Sequence, residues 1–107
     1  MSTILLVDDQ AIFREPIAMC LRQNGYTTHT AENGRIALRV LAEHPLDLIL
    51  LDMAMPEMHG IQFLRALREN PLHPKTPVIL LTAVSERSQV VEAARLGVKD
   101  YMLKSAF

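Results

Sequence analysis

The chain has a single cysteine, Cys20, so it can form neither an internal disulfide nor a cysteine-built zinc site. That usage fits a reducing compartment, and a cytoplasmic location is expected. No sign of charge is in surplus: 11 Lys and Arg stand against 12 Asp and Glu, for a formal net charge of −1. Direct nucleic-acid binding, which draws on a basic excess, is therefore not expected. Long hydrophobic runs are missing too. The longest are strand-sized, such as residues 48–51 (LILL), and none would span a bilayer. Met1 passes straight into a strand-like run with no basic stretch before it, so a secretory leader is not expected. Repeats, linkers and low-complexity segments are also lacking. What remains is a chain of 107 residues, half of them hydrophobic, the size and composition of one domain with its own core.

Strand-like and helix-like stretches alternate along it. Residues 3–7 (TILLV) are nearly all apolar, as in a strand covered on both faces. Ile12, Phe13, Ile17, Cys20 and Leu21 recur at helical spacing, and Asn24-Gly25 is a good stop. This pattern places Pro16 in the helix's first turn and Cys20 in the core. Residues 26–31 form a weaker, Thr-rich strand suited to a sheet edge. Asn33 can cap a helix with Ile36, Ala37, Val40 and Leu41 on its stripe, ending before Pro45. Residues 46–51 (LDLILL) are the most hydrophobic segment and predict a central strand. A helix with Ile61, Leu64 and Leu67 on one face follows, then a strand over 78–82. Ser85 is placed to cap a helix over 86–96, and residues 98–103 read as a fifth strand. The sum is (βα)4β, whose natural solution is an open, doubly wound α/β parallel sheet.

In such sheets ligands bind beyond the C-terminal ends of the strands. Those ends carry Asp8 and Asp9, Asp52, Thr82 and, after the last strand, Lys104. Any one of these acids could be a cap or turn residue. Three together repel one another and are costly unless a cation joins them. Hard oxygen ligands suit Mg²⁺, which keeps several waters and takes up phosphate oxygens. A Thr hydroxyl and a Lys ammonium beside it suit the oxygens of a phosphoryl group, so the chemistry implied is phosphoryl transfer. The four histidines, His29, His44, His59 and His73, fall on different elements and predict no cluster.

The motifs LLVDD, DLILLDMAMPEMHG, VILLTA and DYMLK occur in this order, and the chain resembles the CheY-like receiver domain of two-component response regulators. The resemblance implies a flavodoxin-like five-stranded sheet of order 2-1-3-4-5. It implies that Asp52 accepts a phosphoryl group from a phosphohistidine on a sensor histidine kinase or phosphotransfer protein. It further implies Mg²⁺ held by Asp9, Asp52 and the backbone carbonyl of Ala54, with Asp8 acting mainly through water. Thr82 and Lys104 would bind the phosphoryl oxygens, and Tyr101 would be the switch aromatic that turns inward as Thr82 moves. The phosphorylated surface, around the fourth helix and fifth strand, would control an output domain or a downstream partner. On this reading the chain assists its own phosphorylation and dephosphorylation but is no enzyme acting on a separate substrate.

Departures from the family pattern carry expectations of their own. Ser105 replaces the usual proline, whose preceding peptide bond is cis. A non-proline cis bond costs about 3 kcal/mol, so the approach of Lys104 is open to change. Ala54 and Val84 are apolar and cannot orient a hydrolytic water, which predicts slow loss of the phosphoryl group. Such domains end with a fifth helix, and the chain stops at Phe107, where that helix would begin. The expectation is therefore a single receiver domain, 1–107, cut before its last helix, with apolar residues of strands three to five uncovered and prone to self-association. Two other functions fit the residues: a phosphate-independent interaction module of the same fold, and a Mg²⁺-dependent phosphotransferase or phosphatase. Partner binding indifferent to Asp52→Asn would mark the first, and turnover of a generic phosphate ester the second.

Overall fold

A computed structural model describes residues 2–52, 60–70, 75–82, 91, 94–95 and 97–103. Its elements are β1 (Thr3–Val7), α1 (Ala11–Gln23), β2 (Thr27–Ala31), α2 (Gly34–Glu43), β3 (Leu48–Asp52), α3 (Gly60–Glu69), β4 (Val78–Thr82) and β5 (Asp100–Leu103). All strand pairs are parallel, in the order β2-β1-β3-β4-β5. The expected α/β sheet is thus present, with the Thr-rich strand at one edge. The helix expected over 86–96 lies largely outside the described residues.

The central strands are apolar on successive residues because both faces of the sheet are covered. Ile4, Leu6, Leu50 and Leu81 face α1, where they meet Ile17 and Ala18. Leu5, Val7, Ile49, Leu51, Val78 and Leu80 face the other way, against Ala37 and Leu41 of α2 and Phe63, Leu64 and Leu67 of α3. On the α1 side an open cavity of about 300 Å³ is lined mainly by apolar residues, among them Leu21, Tyr26, Leu48, Leu50 and Met102.

Local bonds set the element boundaries. Asn33 caps α2 as its type predicts, its side-chain oxygen accepting the Ile36 N–H at 2.8 Å, a contact of about 1 kcal/mol. Tyr26 belongs to the turn that closes α1, donating its N–H to Leu21 O at 3.1 Å, so β2 starts one residue later than the pattern suggests. Asp47 sits in a bend just before β3, which opens at Leu48. It donates to Thr3 O at 2.8 Å and accepts the Thr3 N–H on Oδ2 at 2.7 Å. At the far end of the sheet, Arg68 in the last turn of α3 donates Nη1 to Thr76 O at 2.8 Å and Nη2 to Gly97 O at 3.1 Å. One guanidinium therefore ties together the segments that lead into β4 and β5. Gly97, at φ +81°, takes a left-handed turn here that a side chain would disfavour.

Three expectations about side chains fail. Cys20 is exposed, because the buried line along α1 runs through Ile17 and Ala18, with Phe13 and Leu21 partly covered. Cys20 falls to one side of that line, and Ile12, on the same apolar stripe, is 77% exposed. Pro16 lies beyond the first turn of α1, so the bond its N–H would have made to Ile12 O is lost. Finally, His29 and His44 are not scattered: their rings stack with centroids 4.1 Å apart, because the end of α2 returns beside β2.

Candidate functional site

Parallel pairing brings every strand's C-terminal end to one edge of the sheet. Val7 of β1 pairs with Leu51 of β3, so Asp8 and Asp52, each next in sequence, emerge side by side. Asp8 is 0% and Asp52 1% exposed, while Asp9 sits at the rim and reaches solvent. Carboxylate oxygens of Asp8, Asp9 and Asp52 all lie within 4.8 Å of one another. At an effective dielectric of about 20, that spacing costs on the order of 3 kcal/mol for each ionised pair.

Asp8 is held firmly in this position. Its backbone N–H donates to Ala31 O at 3.0 Å, and its Oδ1 accepts the Gln10 N–H at 2.9 Å. Gln10 is the N-cap of α1 and makes no side-chain cap bond of its own. Asp8 thus performs part of the turn role that its sequence position allows, and does so with one oxygen only. Its Oδ2 and the Oδ2 of Asp52 are buried and accept no hydrogen bond among the described residues, while both residues keep other interactions. The donor set is all hard oxygen, converging and anionic, which fits Mg²⁺ and fits poorly with softer ions.

Sequence reasoning missed Arg14. From the first turns of α1 its Nη1 reaches back to Asp8 O at 2.9 Å, and its Nε lies 3.5 Å from Glu15 Oε1. This places a guanidinium against the backbone at the acidic edge. A cation about one turn into the helix that follows Asp8-Asp9 is the signal that could have found it.

The other expected site residues stand as follows. Thr82 ends β4, on the same edge of the sheet as Asp52, and is paired with Leu103. Tyr101 lies on β5 opposite Leu80 and is 54% exposed, so it is not a core aromatic. Ala54 and Lys104 lie outside the described residues, as do Val84 and the Lys104–Ser105 bond.

A parallel sheet of order 2-1-3-4-5 with acids gathered at its C-terminal edge defines a doubly wound α/β protein of the flavodoxin-like class. The sequence profile of the response regulator receiver domain matches residues 4–106, and the chain belongs to that family. It is 43% identical over 101 residues to regulatory protein AtoC of Escherichia coli, across 94% of this chain and 22% of that protein. It is 40% identical over 102 residues to the phosphate regulon transcriptional regulatory protein PhoB of Pseudomonas aeruginosa, across 95% of this chain and 44% of that protein. The chain therefore spans less than half the length of these curated relatives. Chemotaxis protein CheY4 of Vibrio cholerae matches its structure with a TM-score of 0.91 at 31% identity, over 97% of this chain and 87% of that one. Members of the family are phosphorylation switches of two-component systems and not enzymes in the ordinary sense. No helix among the described residues is long and apolar enough to cross a membrane.

Proposed function

We propose that this chain is a cytoplasmic phosphorylation switch in which Asp52 takes a phosphoryl group from a phosphohistidine on a sensor histidine kinase or phosphotransfer protein. The observation that carries this reading is the meeting of Asp8, Asp9 and Asp52 oxygens within 4.8 Å, in a chain of the receiver family. An Asp52 carboxylate oxygen attacks phosphorus. The P–O bond forms as the P–N bond breaks, and the electron pair returns to the departing imidazole, which takes a proton from solvent. Asp9 and Asp52, with the Ala54 carbonyl, would hold Mg²⁺ directly and Asp8 through water. When bound, the ion supplies the positive charge that offsets the carboxylates and the incoming phosphoryl oxygens.

Asp8 and Arg14 fix the rim of the site, and burial of Asp52 keeps bulk water from the acceptor. Thr82 and Lys104 then bind phosphoryl oxygens. They bind them better in one arrangement of the β4 and β5 ends, so phosphorylation shifts the population toward it. Tyr101 turns inward in that arrangement and alters the surface of β5, which an output domain or downstream partner reads. Incubation with Mg²⁺ and a small phosphodonor, followed by intact mass measurement, tests the reading. A gain of one phosphoryl group is expected, and no gain would sink it.

Two further results are expected. Metal-free, the crowded acids weaken the fold, so millimolar Mg²⁺ raises the melting temperature. The gain is about 2.7 kcal/mol at a hundredfold excess over the dissociation constant, and a melting temperature indifferent to Mg²⁺ would mean the acids do not form one site. The aspartyl phosphate is also long-lived, because neither Ala54 nor Val84 can orient an attacking water. Ala54→Asn combined with Val84→Glu is expected to shorten its lifetime by at least about tenfold. Unchanged decay would remove that explanation.

A further inference from the structure

His29 and His44 lie outside the acidic site. His29 is in the middle of the edge strand, opposite Leu5 of β1. His44 closes α2, with its N–H bonded to Val40 O at 3.0 Å. The two rings stack with planes 22° apart and centroids 4.1 Å apart, and both residues are half-buried. The stack is thus a contact between the end of a helix and the outermost strand of the sheet.

The charges around His29 are all of one kind. β1 carries no ionisable side chain. α1 contributes Arg22, whose Nη2 is fixed on Thr28 O at 2.9 Å, and the end of α2 contributes His44. The other charged side chains of α2, on Arg35, Arg39 and Glu43, belong to exposed residues. Neutral imidazoles stack without electrostatic cost, whereas two imidazolium rings at this distance, beside a guanidinium, repel.

We propose that the His29–His44 stack is a proton-sensitive latch. It fastens the end of α2 to β2 while His29 is neutral and releases it when His29 takes up a proton in mild acid. Partial burial first, then His44 and Arg22, hold the His29 pKa below the usual 6.5. The sign follows from that direction. Between the folded value and 6.5 the unfolded chain binds the extra proton, so the latch's contribution is complete above 6.5 and is lost as pH falls through the folded value. The latch uses none of the residues assigned to phosphoryl chemistry, so it adds an acid response independent of phosphorylation.

NMR on the 107-residue chain, following the imidazole signals from about pH 8 to about pH 5, tests this. His29 is expected to titrate below about 6.5. The inter-ring NOEs present at high pH should vanish as it does, and the protection of the His44 amide, taken relative to its intrinsic exchange rate at each pH, should fall at least about tenfold. His44→Phe keeps an aromatic ring but takes up no proton, so protection at that amide should stay high across the range. Inter-ring NOEs that persist in the folded protein at low pH would overturn the latch. So would a His29 midpoint at or above about 6.5, or an unchanged acid response in His44→Phe.

Discussion

Asp52→Asn protein incubated with Mg²⁺ and a small phosphodonor gains no phosphoryl group, and its metal-free form melts higher than the wild type. The first effect is complete because the amide is no nucleophile toward phosphorus, while Asp8, tied to Gln10 N–H, and Asp9, at the rim, are not placed to substitute for it. The second follows from electrostatics. Asp52 is 1% exposed and shares a 4.8 Å cluster with two other carboxylates. Removing its charge relieves two repulsions, each on the order of 3 kcal/mol. Solvent screening at Asp9 and poorer hydrogen bonding of the amide offset most of that relief, which leaves a net gain of about 1–3 kcal/mol. The variant also loses most of the wild type's response to Mg²⁺. Undiminished phosphorylation of the variant would disqualify Asp52 as acceptor. An unchanged metal-free melting temperature would show that the three acids do not repel one another as their spacing requires.

Phe63→Ala is expected to cause the largest loss of stability available from a single change in the described core. Phe63 is 0% exposed and is the anchor of α3 in the cluster it shares with Val7, Leu51, Val78 and Leu80. Truncation removes its transfer energy and leaves a cavity that the sheet cannot fill, at a cost of about 3–5 kcal/mol. A small domain has only about 5–15 kcal/mol in total. The loss is read as a lower midpoint in chemical denaturation, with Phe63→Leu expected to lose much less. A loss below about 1 kcal/mol would mean that α3 is not seated on the sheet as described.

The sheet and the acids were legible for the same reason. Strands buried on both faces leave unbroken apolar runs, and the first charge after such a run marks where the strand leaves the core. Asp8 after TILLV and Asp52 after LILL are read that way without knowing any neighbour. Helix faces were harder. The apolar positions of α1 span a stripe wider than the sheet can cover, and only packing decides that Ile17 and Ala18 are buried while Ile12 and Cys20 are exposed. Contacts between elements distant in sequence were not readable at all. The His29–His44 stack depends on how α2 returns to β2, and the Arg68 tie to Thr76 and Gly97 depends on where α3 stops. Arg14 lay between these cases, since its distance from Asp8 is local but its direction is set by the turn at Gln10.

The strand order also bears on how the chain is made. β2, β1 and β3 are already neighbours within the first 52 residues, so all three acids can assemble while the remainder is still being synthesised. Thr82 and Tyr101 arrive only afterwards. Until Val78 emerges to pair with Ile49, β3 presents a bare, almost wholly apolar edge to any other strand in reach. The nascent chain thus holds its anionic pocket early and its most aggregation-prone edge open until β4 closes it.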